Sequence, residues 1–410
     1  MTTTSKRKIF NDPIYGFISI PSEIVFDLIE HHYLQRLRRI AQLGLTNIVY
    51  SGANHTRFQH TLGAMHLMSR AIDVIRSKGF EITDEEATGA TIAILLHDIG
   101  HGPFSHTLEY SLVEGVNHES ISALFMKTLN KEFDDELSLA IDIFKGNYHK
   151  KYLHQLVSSQ LDVDRLDYLK RDSFFTGVSE GVIGSERIIK MLSVADGELA
   201  VEAKGIYSIE KFLVARRLMY WQVYLHKTVL AAENLLTKIL KRAKELASEN
   251  VDLFASPALK IFLYQSHSSK DFQSDPTLLD EFARLDDFDI MGAIKVWCDH
   301  EDFVLSKLCR MLINRTLLKV EIQKDEFDRG IIAEKQAQIA SKWKLSDHET
   351  SYFVFSNEVV NRAYSQKTDS INILHKNGEV MDIANDADLL NISMLSDPVK
   401  KYFLCYPKNA

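Results

Sequence analysis

Residues 94–106, ILLHDIGHGPFSH, set an imidazole beside a carboxylate at the end of an apolar run. Thr91 to Leu96 are uncharged and helix-compatible, and Gly100, Gly102 and Pro103 stop any helix that reaches them. His97 and Asp98 are therefore expected at a helix exit, with His101 and His106 in the exit and the loop beyond. A buried imidazole and carboxylate side by side need partners, and one divalent cation can serve both. A lone His-Asp pair is commonly just a hydrogen-bonded neighbour pair, so its surroundings decide the reading. His60 stands upstream in RFQHTLG (57–63), opening another helix, and the aspartate-rich DVDRLDY (162–168) lies downstream. One His, an adjacent His-Asp and a distant Asp can close around one cation from three helices. Mixed nitrogen and oxygen donors with open positions suit Mn, Mg, Fe, Ni, Co or Zn, so ligand type leaves the metal undecided.

Further residues have types suited to phosphate chemistry. Arg57, three residues before His60, carries a planar fork that can bind phosphate oxygens or a nearby carboxylate. Glu109 follows His106 by one helical turn and can hold its imidazole. His118 opens the next helix in NHES (117–120). An imidazole beside a carboxylate can be tuned to work near neutral pH, which makes His101, His106 and His118 candidates for proton transfer and phosphate binding. Arg216, Tyr220 and Tyr224 recur every four residues and would share a helix face; a plain aromatic core stripe has the same spacing.

The elements that must position these groups are mostly helices. Residues 9–21 read as a short hairpin punctuated by Pro and Gly, and a helix is expected from Ser22. Residues 34–45, LQRLRRIAQLGL, read as a basic amphipathic helix with Arg36, Arg38 and Arg39 on a solvated face, ended by Gly44. Asp84 to Glu86 open the helix that delivers His97 and Asp98. His154 to Asp172 reads as one helix, 199–207 as a hairpin, and Ile209 to Leu240 as one long helix. His55 and His66 have no motif role and read as structural or solvent-facing, and Trp221 reads as core. Residues to about 312 stay helical. From Leu317 strands appear at 317–322, 352–355 and 402–406, and a hairpin is signalled by Asn377-Gly378.

The pattern H…HD…D resembles the HD-domain phosphohydrolases. The longer strings HDIGHGPFSH, RFQHTLG, NHES and DVDRLDYLKRD are similar to the branch containing the dGTPase-like deoxynucleoside triphosphate triphosphohydrolases, from about Lys8 to about Lys227. The resemblance implies that His60, His97, Asp98 and Asp164 hold the metal, and that His101, His106, Glu109 and His118 act in catalysis. It implies nucleotide contacts at Gln42, Leu43, Arg57, Arg165, Tyr168, Asp172, Arg216 and Tyr224. A Tyr168 ring packed on the 2′ carbon would select deoxyribose. Glu109 departs from the aspartate common at its position in length, not in charge. Lys8, Gln35 and Arg38 match part of a regulatory nucleotide site in the branch, and the family also implies a homo-oligomer.

Length and composition fit that reading. The 410 residues, 45% hydrophobic and 25% charged, suit an ordinary globular protein of several domains. A net charge of −8 argues against a nucleic-acid-binding protein that relies on overall positive charge. The three cysteines, Cys298, Cys309 and Cys405, are far apart and fit free thiols in a reducing cytoplasm. No apolar run is long enough to span a membrane, and the N-terminus lacks a signal-peptide core. The expected protein is mainly α, an HD-domain helical core with a smaller C-terminal α+β subdomain. Its parts would be an N-terminal segment (1–50), the catalytic core (51–248), a helical extension (249–316) and the α+β part (317–410). The expected activity is metal-dependent hydrolysis of dNTPs to deoxynucleoside and triphosphate. The alternatives are an HD phosphohydrolase for nucleoside mono- or diphosphates or other phosphoesters, and a nucleotide sensor with little turnover.

Overall fold

The uncharged run 90–96 has no face to offer water, and every residue in it is at most 3% exposed. The computed structural model that shows this describes residues 8–104, 117–361, 370–386 and 399–408. The chain opens with a hairpin of β1 (Ile9–Asp12) and β2 (Gly16–Ser19), then α1 (Glu23–Glu30). The core helices follow: α2 (Arg57–Ser77), α3 (Asp84–Leu96), α4 (His118–Glu132), α5 (Ser138–Phe144), α6 (Lys151–Val157), α7 (Val163–Thr176) and α8 (Ser185–Met191). A second hairpin, β3 (Leu192–Ala195) and β4 (Glu198–Glu202), leads into α9 (Ile206–Met219) and α10 (Lys227–Ser248). The extension comprises α11 (Pro257–Tyr264), α12 (Ser269–Ser274), α13 (Pro276–Ala283), α14 (Asp287–Trp297) and α15 (Phe303–Ile313). After it come β5 (Lys319–Gln323), α16 (Arg329–Trp343), β6 (Phe355–Asn361), β7 (Asn372–Leu374), β8 (Val380–Asp382) and β9 (Val399–Tyr406). The protein is mainly α, as the sequence predicts. No helix among the described residues is long and apolar enough to cross a membrane.

Capping residues start the helices that matter. Thr83 and Glu86 exchange bonds across the first turn of α3, and Thr56 and Gln59 do the same at α2. Helix α2 packs against both α3 and α7, so three helices carrying chemistry share one core. The late strands divide between two sheets. β7 pairs in parallel with β4, extending the core hairpin into a sheet of order β3-β4-β7-β8, while β5, β9 and β6 form a separate antiparallel sheet.

Several local expectations need correction. Residues 34–45 are not a helix: a single turn (His32–Gln35) and a 3₁₀ turn (Arg36–Arg39) give way to extended chain at Ile40. Arg57 donates its backbone N–H to Ile40 and Gln42 donates to His55, at 3.0 Å each, so tertiary pairing overrides the helical pattern. Arg36 is fully buried rather than solvated. The stretch 154–172 breaks at 158–162, because Asp162 accepts backbone bonds from Ser159 (2.8 Å) and Arg165 (2.7 Å) and starts α7 afresh. The hairpin is 192–202 rather than 199–207, and α9 already begins at Ile206. The expected long helix 209–240 is interrupted by a wide turn at Tyr220–Tyr224, where Leu225 N–H reaches back five residues to Tyr220 at 2.7 Å. The strand expected at 352–355 begins only at Phe355.

Candidate metal centre and catalytic cleft

Each metal-site candidate comes from a different local device. His60 lies one turn into α2 and is completely buried; His97 and Asp98 form the exit turn of α3; Asp164 lies in the first turn of α7. Ser122 of α4 clamps that exit turn, donating its hydroxyl to His97 O (2.7 Å) and accepting from Gly100 N (2.9 Å). A side chain on Gly100 would place its Cβ 2.2 Å from His118 O, so the turn can meet α4 only with glycine here.

The imidazoles are already oriented. His60 Nδ1 lies 2.7 Å from Asp167 Oδ2, and His97 Nδ1 lies 2.6 Å from Ile94 O. With the proton on each Nδ1, both Nε2 lone pairs face inward, and neither buried Nε2 has a hydrogen-bond partner among the described residues. His60 Nε2 approaches Asp164 Oδ1 to 3.1 Å, and His97 Nε2 approaches it to 3.6 Å. These donor atoms lie within 4.8 Å of one another. Asp98 joins from the side, Oδ1 at 3.3 Å from His97 Nε2 and Oδ2 at 3.8 Å from His60 Nε2. Two imidazole nitrogens and the Asp164 carboxylate around one point suit a divalent cation with open positions, and Asp98 stands beside them with its Oδ2 paired to Arg57.

Charge makes the same case. Burial disfavours a charged His60, yet the neighbouring carboxylates of Asp164 and Asp167 outweigh that and lift its pKa to about 10. His97 is raised as well, chiefly by Asp98 against its burial, and Asp164 is pushed down by the two histidines despite its burial. Acidic groups thus crowd a pocket that demands positive charge. Behind it runs a fixed chain. Arg171 grips Asp167 with two bonds (2.9 and 3.0 Å) and reaches Asp12 at 2.8 Å. A Cβ on Gly63 would fall 2.0 Å from Asp167 Oδ1, so α2 and α7 approach this closely only because that position is glycine.

The cluster opens into a cleft of about 810 Å³. Of the residues expected at a nucleotide site, Gln42, Arg57, His97, Asp98, His101, His118, Asp164, Arg165, Tyr168, Arg216 and Tyr224 line it. His60 lies behind the wall. Leu43 is not in the lining and packs against the hydrophobic core. Asp172, expected as a direct sugar contact, is also absent from the lining: its Oδ1 meets His55 Nε2 (2.7 Å) and its Oδ2 accepts from Tyr224 (2.7 Å). His106 and Glu109 fall outside the described residues. Arg57 is bound to Asp98 at 2.5 Å, and His101 stacks on His118 with ring centres 3.9 Å apart. Burial, then the Arg57 charge, brings the His101 pKa down to about 3, so it is neutral near pH 7. Lys8, Gln35 and Arg38 are elsewhere engaged. The Lys8 ammonium sits over Phe26, Gln35 donates to Ile29 O, and Arg38 bonds Gln35 and covers Phe58.

Some residues escaped the sequence reading. Tyr220 lines the cleft beside Arg216 and Tyr224 rather than filling the core. Trp221 is only part-buried, beneath the Lys401 ammonium. His55 is 1% exposed, stacked on Phe175, and supports Tyr224 through Asp172. The structural reading of His55 holds, and its place two residues before the RFQHTLG motif was the signal available for its partners. Gln160, which accepts from Arg216 at 3.1 Å, left none.

Residues 57–172 match the HD domain and 183–257 the HD associated region. The chain is similar, at 56% identity and a TM-score of 0.95, to the crystal structure of a phosphohydrolase (BT4208) from Bacteroides thetaiotaomicron, covering 98% of this chain and 100% of that one. It is 31% identical to the uncharacterized protein YwfO of Bacillus subtilis, over 99% of this chain and 93% of that protein. It is 33% identical to a deoxynucleoside triphosphate triphosphohydrolase SAMHD1 homolog of Dictyostelium discoideum, over 55% of this chain and 47% of that protein.

Proposed function

This chain belongs to the HD-domain phosphohydrolases, and we propose that within that family it hydrolyses deoxynucleoside triphosphates to deoxynucleoside and tripolyphosphate. The observation that carries the reading is the company the His-Asp cluster keeps. One cleft joins it to Arg57, Arg165 and Arg216, suited to a long anionic tail, and to Gln42, Tyr168 and Tyr224, suited to a sugar. Its volume lies in the range of small-molecule sites. The likeness to a dNTP triphosphohydrolase homolog supports the same substrate class.

His60, His97, Asp98 and Asp164 would hold a divalent cation, which when bound supplies an activated water and polarises a phosphoryl oxygen. Water attacks the α-phosphorus; the bond to its oxygen forms as the bond to O5′ breaks. The three arginines hold the tail in line and balance its charge. Neutral His101, with His118 stacked on it, takes a hydrogen-bonding place beside the phosphate. His106, supported by Glu109, is assigned the proton delivered to O5′ from the family resemblance. Tyr168 packs against the sugar and leaves no room for a 2′ hydroxyl.

The test is a substrate panel: purified protein with Mn, Mg or Co and each dNTP and rNTP, singly and mixed, beside a His97→Ala/Asp98→Ala control. Turnover of dNTPs and not rNTPs, lost in the control, is the expected result. A requirement for mixtures would add a regulatory nucleotide site. Turnover confined to mono- or diphosphates, or tight binding without turnover, would overturn the reading.

A further inference from the structure

Asp287 is the first residue of α14, in the helical extension more than a hundred residues beyond any predicted site residue except those of α9 and the turn after it, yet its carboxylate reaches the catalytic core. Oδ1 accepts the backbone N–H of Phe104 at 2.9 Å, and Oδ2 accepts that of Ala41 at 2.8 Å. Phe104 ends the described part of the loop that begins with His97-Asp98 and carries His101; Ala41 immediately precedes Gln42 in the cleft wall. Phe104 holds a left-handed backbone (φ 51°), a sparsely populated conformation, at the point where the tie is made. The same stretch of the extension makes further ties. Arg36, fully buried, donates to Leu285 O (3.3 Å) and to Ile99 O (2.7 Å), and Arg39 pairs with Asp286.

We propose that Asp287 is a positioning residue of the hydrolytic site: one carboxylate from the extension sets the height of the His101 loop against the Ala41-Gln42 segment, and so the width of the cleft between them. The extension is thereby part of the active site's framework. An apolar residue at position 287 would satisfy neither N–H. An amide can accept from one but must turn an N–H toward the other, so the isosteric change separates the two ties without changing volume.

This inference rests on the phosphohydrolase reading of the cleft, and its test has a part independent of substrate. Wild type, Asp287→Asn and Asp287→Ala are compared by amide hydrogen exchange in peptides covering 38–43 and 99–104. Calorimetric Mn²⁺ affinity is measured alongside, with kcat and KM on dGTP and on bis(4-nitrophenyl) phosphate. The expected result is at least tenfold faster exchange in these two peptides in the alanine variant and in at least one in the asparagine variant. Exchange elsewhere and Mn²⁺ affinity stay within threefold, and kcat falls at least tenfold. Unchanged exchange, exchange raised across the whole chain, or loosened peptides with unchanged kcat would each overturn the role. If wild type turns over only the nitrophenyl ester, the substrate proposal falls, and the exchange and kcat on that ester still decide the clamp.

Discussion

Asp167 is fully buried and never reaches the cleft, yet it governs what His60 can offer. Its bond to Nδ1 fixes the tautomer that leaves Nε2 as a ligand, and Arg171 keeps the carboxylate charged and aligned. Asp167→Asn should lower Mn²⁺ affinity by roughly 10–100-fold, the usual effect of losing such an outer partner, with little change in the fold's helicity. Titration calorimetry would read this, and unchanged affinity would show that His60 is oriented some other way. On the proposed reading, sugar selection rests on Tyr168, which lines the cleft. Tyr168→Ala should relax discrimination between dGTP and GTP by about tenfold, in the range of a small steric change in a pocket, read as a ratio of kcat/KM values. A ratio that does not move would place the sugar elsewhere.

At the scale of elements, α7 shows why a motif can be read without reading the site. Its aspartates do separate jobs: Asp162 caps the helix, Asp164 faces the inward nitrogens of His60 and His97, Asp167 braces His60, and Asp172 joins His55 to Tyr224. The sequence supplied the cluster and, through family register, Asp164. It could not supply the partners, because those come from α2 and the wide turn after α9 and depend on packing. The same limit explains the misread helix at 34–45, where Arg36 finds buried carbonyls at Ile99 and Leu285 that no local pattern announces. The buried helix α3 was legible because an uncharged run ending in glycines has few other fates. The closeness of α2 and α7 is itself testable. Gly63→Ala drives a methyl into the Asp167–Arg171 pair and should cost about 1–3 kcal/mol by the usual penalty for overpacking, seen as a lower Tm. A variant as stable as wild type would mean that the two helices can separate without loss.

Across the whole molecule, the HD-domain core is held from both directions. The extension reaches it through Asp287, and the chain's later part returns through β7 to the core hairpin at β4. On α10, Glu233 sits near Gly44, and burial pushes its pKa up from 4.5 to about 7. The folded protein therefore holds a proton that the unfolded chain releases at lower pH. Stability from this group is present below about pH 4.5 and is lost as pH rises through 7. Glu233→Gln should thus stabilise the protein at pH 8, by about 1–2 kcal/mol after allowance for partial solvent access, and change little at pH 5. Denaturant melts at the two pH values would show it, and an equal effect at both would contradict it. The claim on which the functional account stands is the position of bond cleavage. It is tested most directly by turning over dGTP with Mn²⁺ in ¹⁸O-water and following the products by phosphorus NMR and mass spectrometry. The account predicts tripolyphosphate carrying one ¹⁸O on a terminal phosphate, with unlabelled deoxyguanosine. Orthophosphate or pyrophosphate as the first product, or label in the nucleoside, would contradict it.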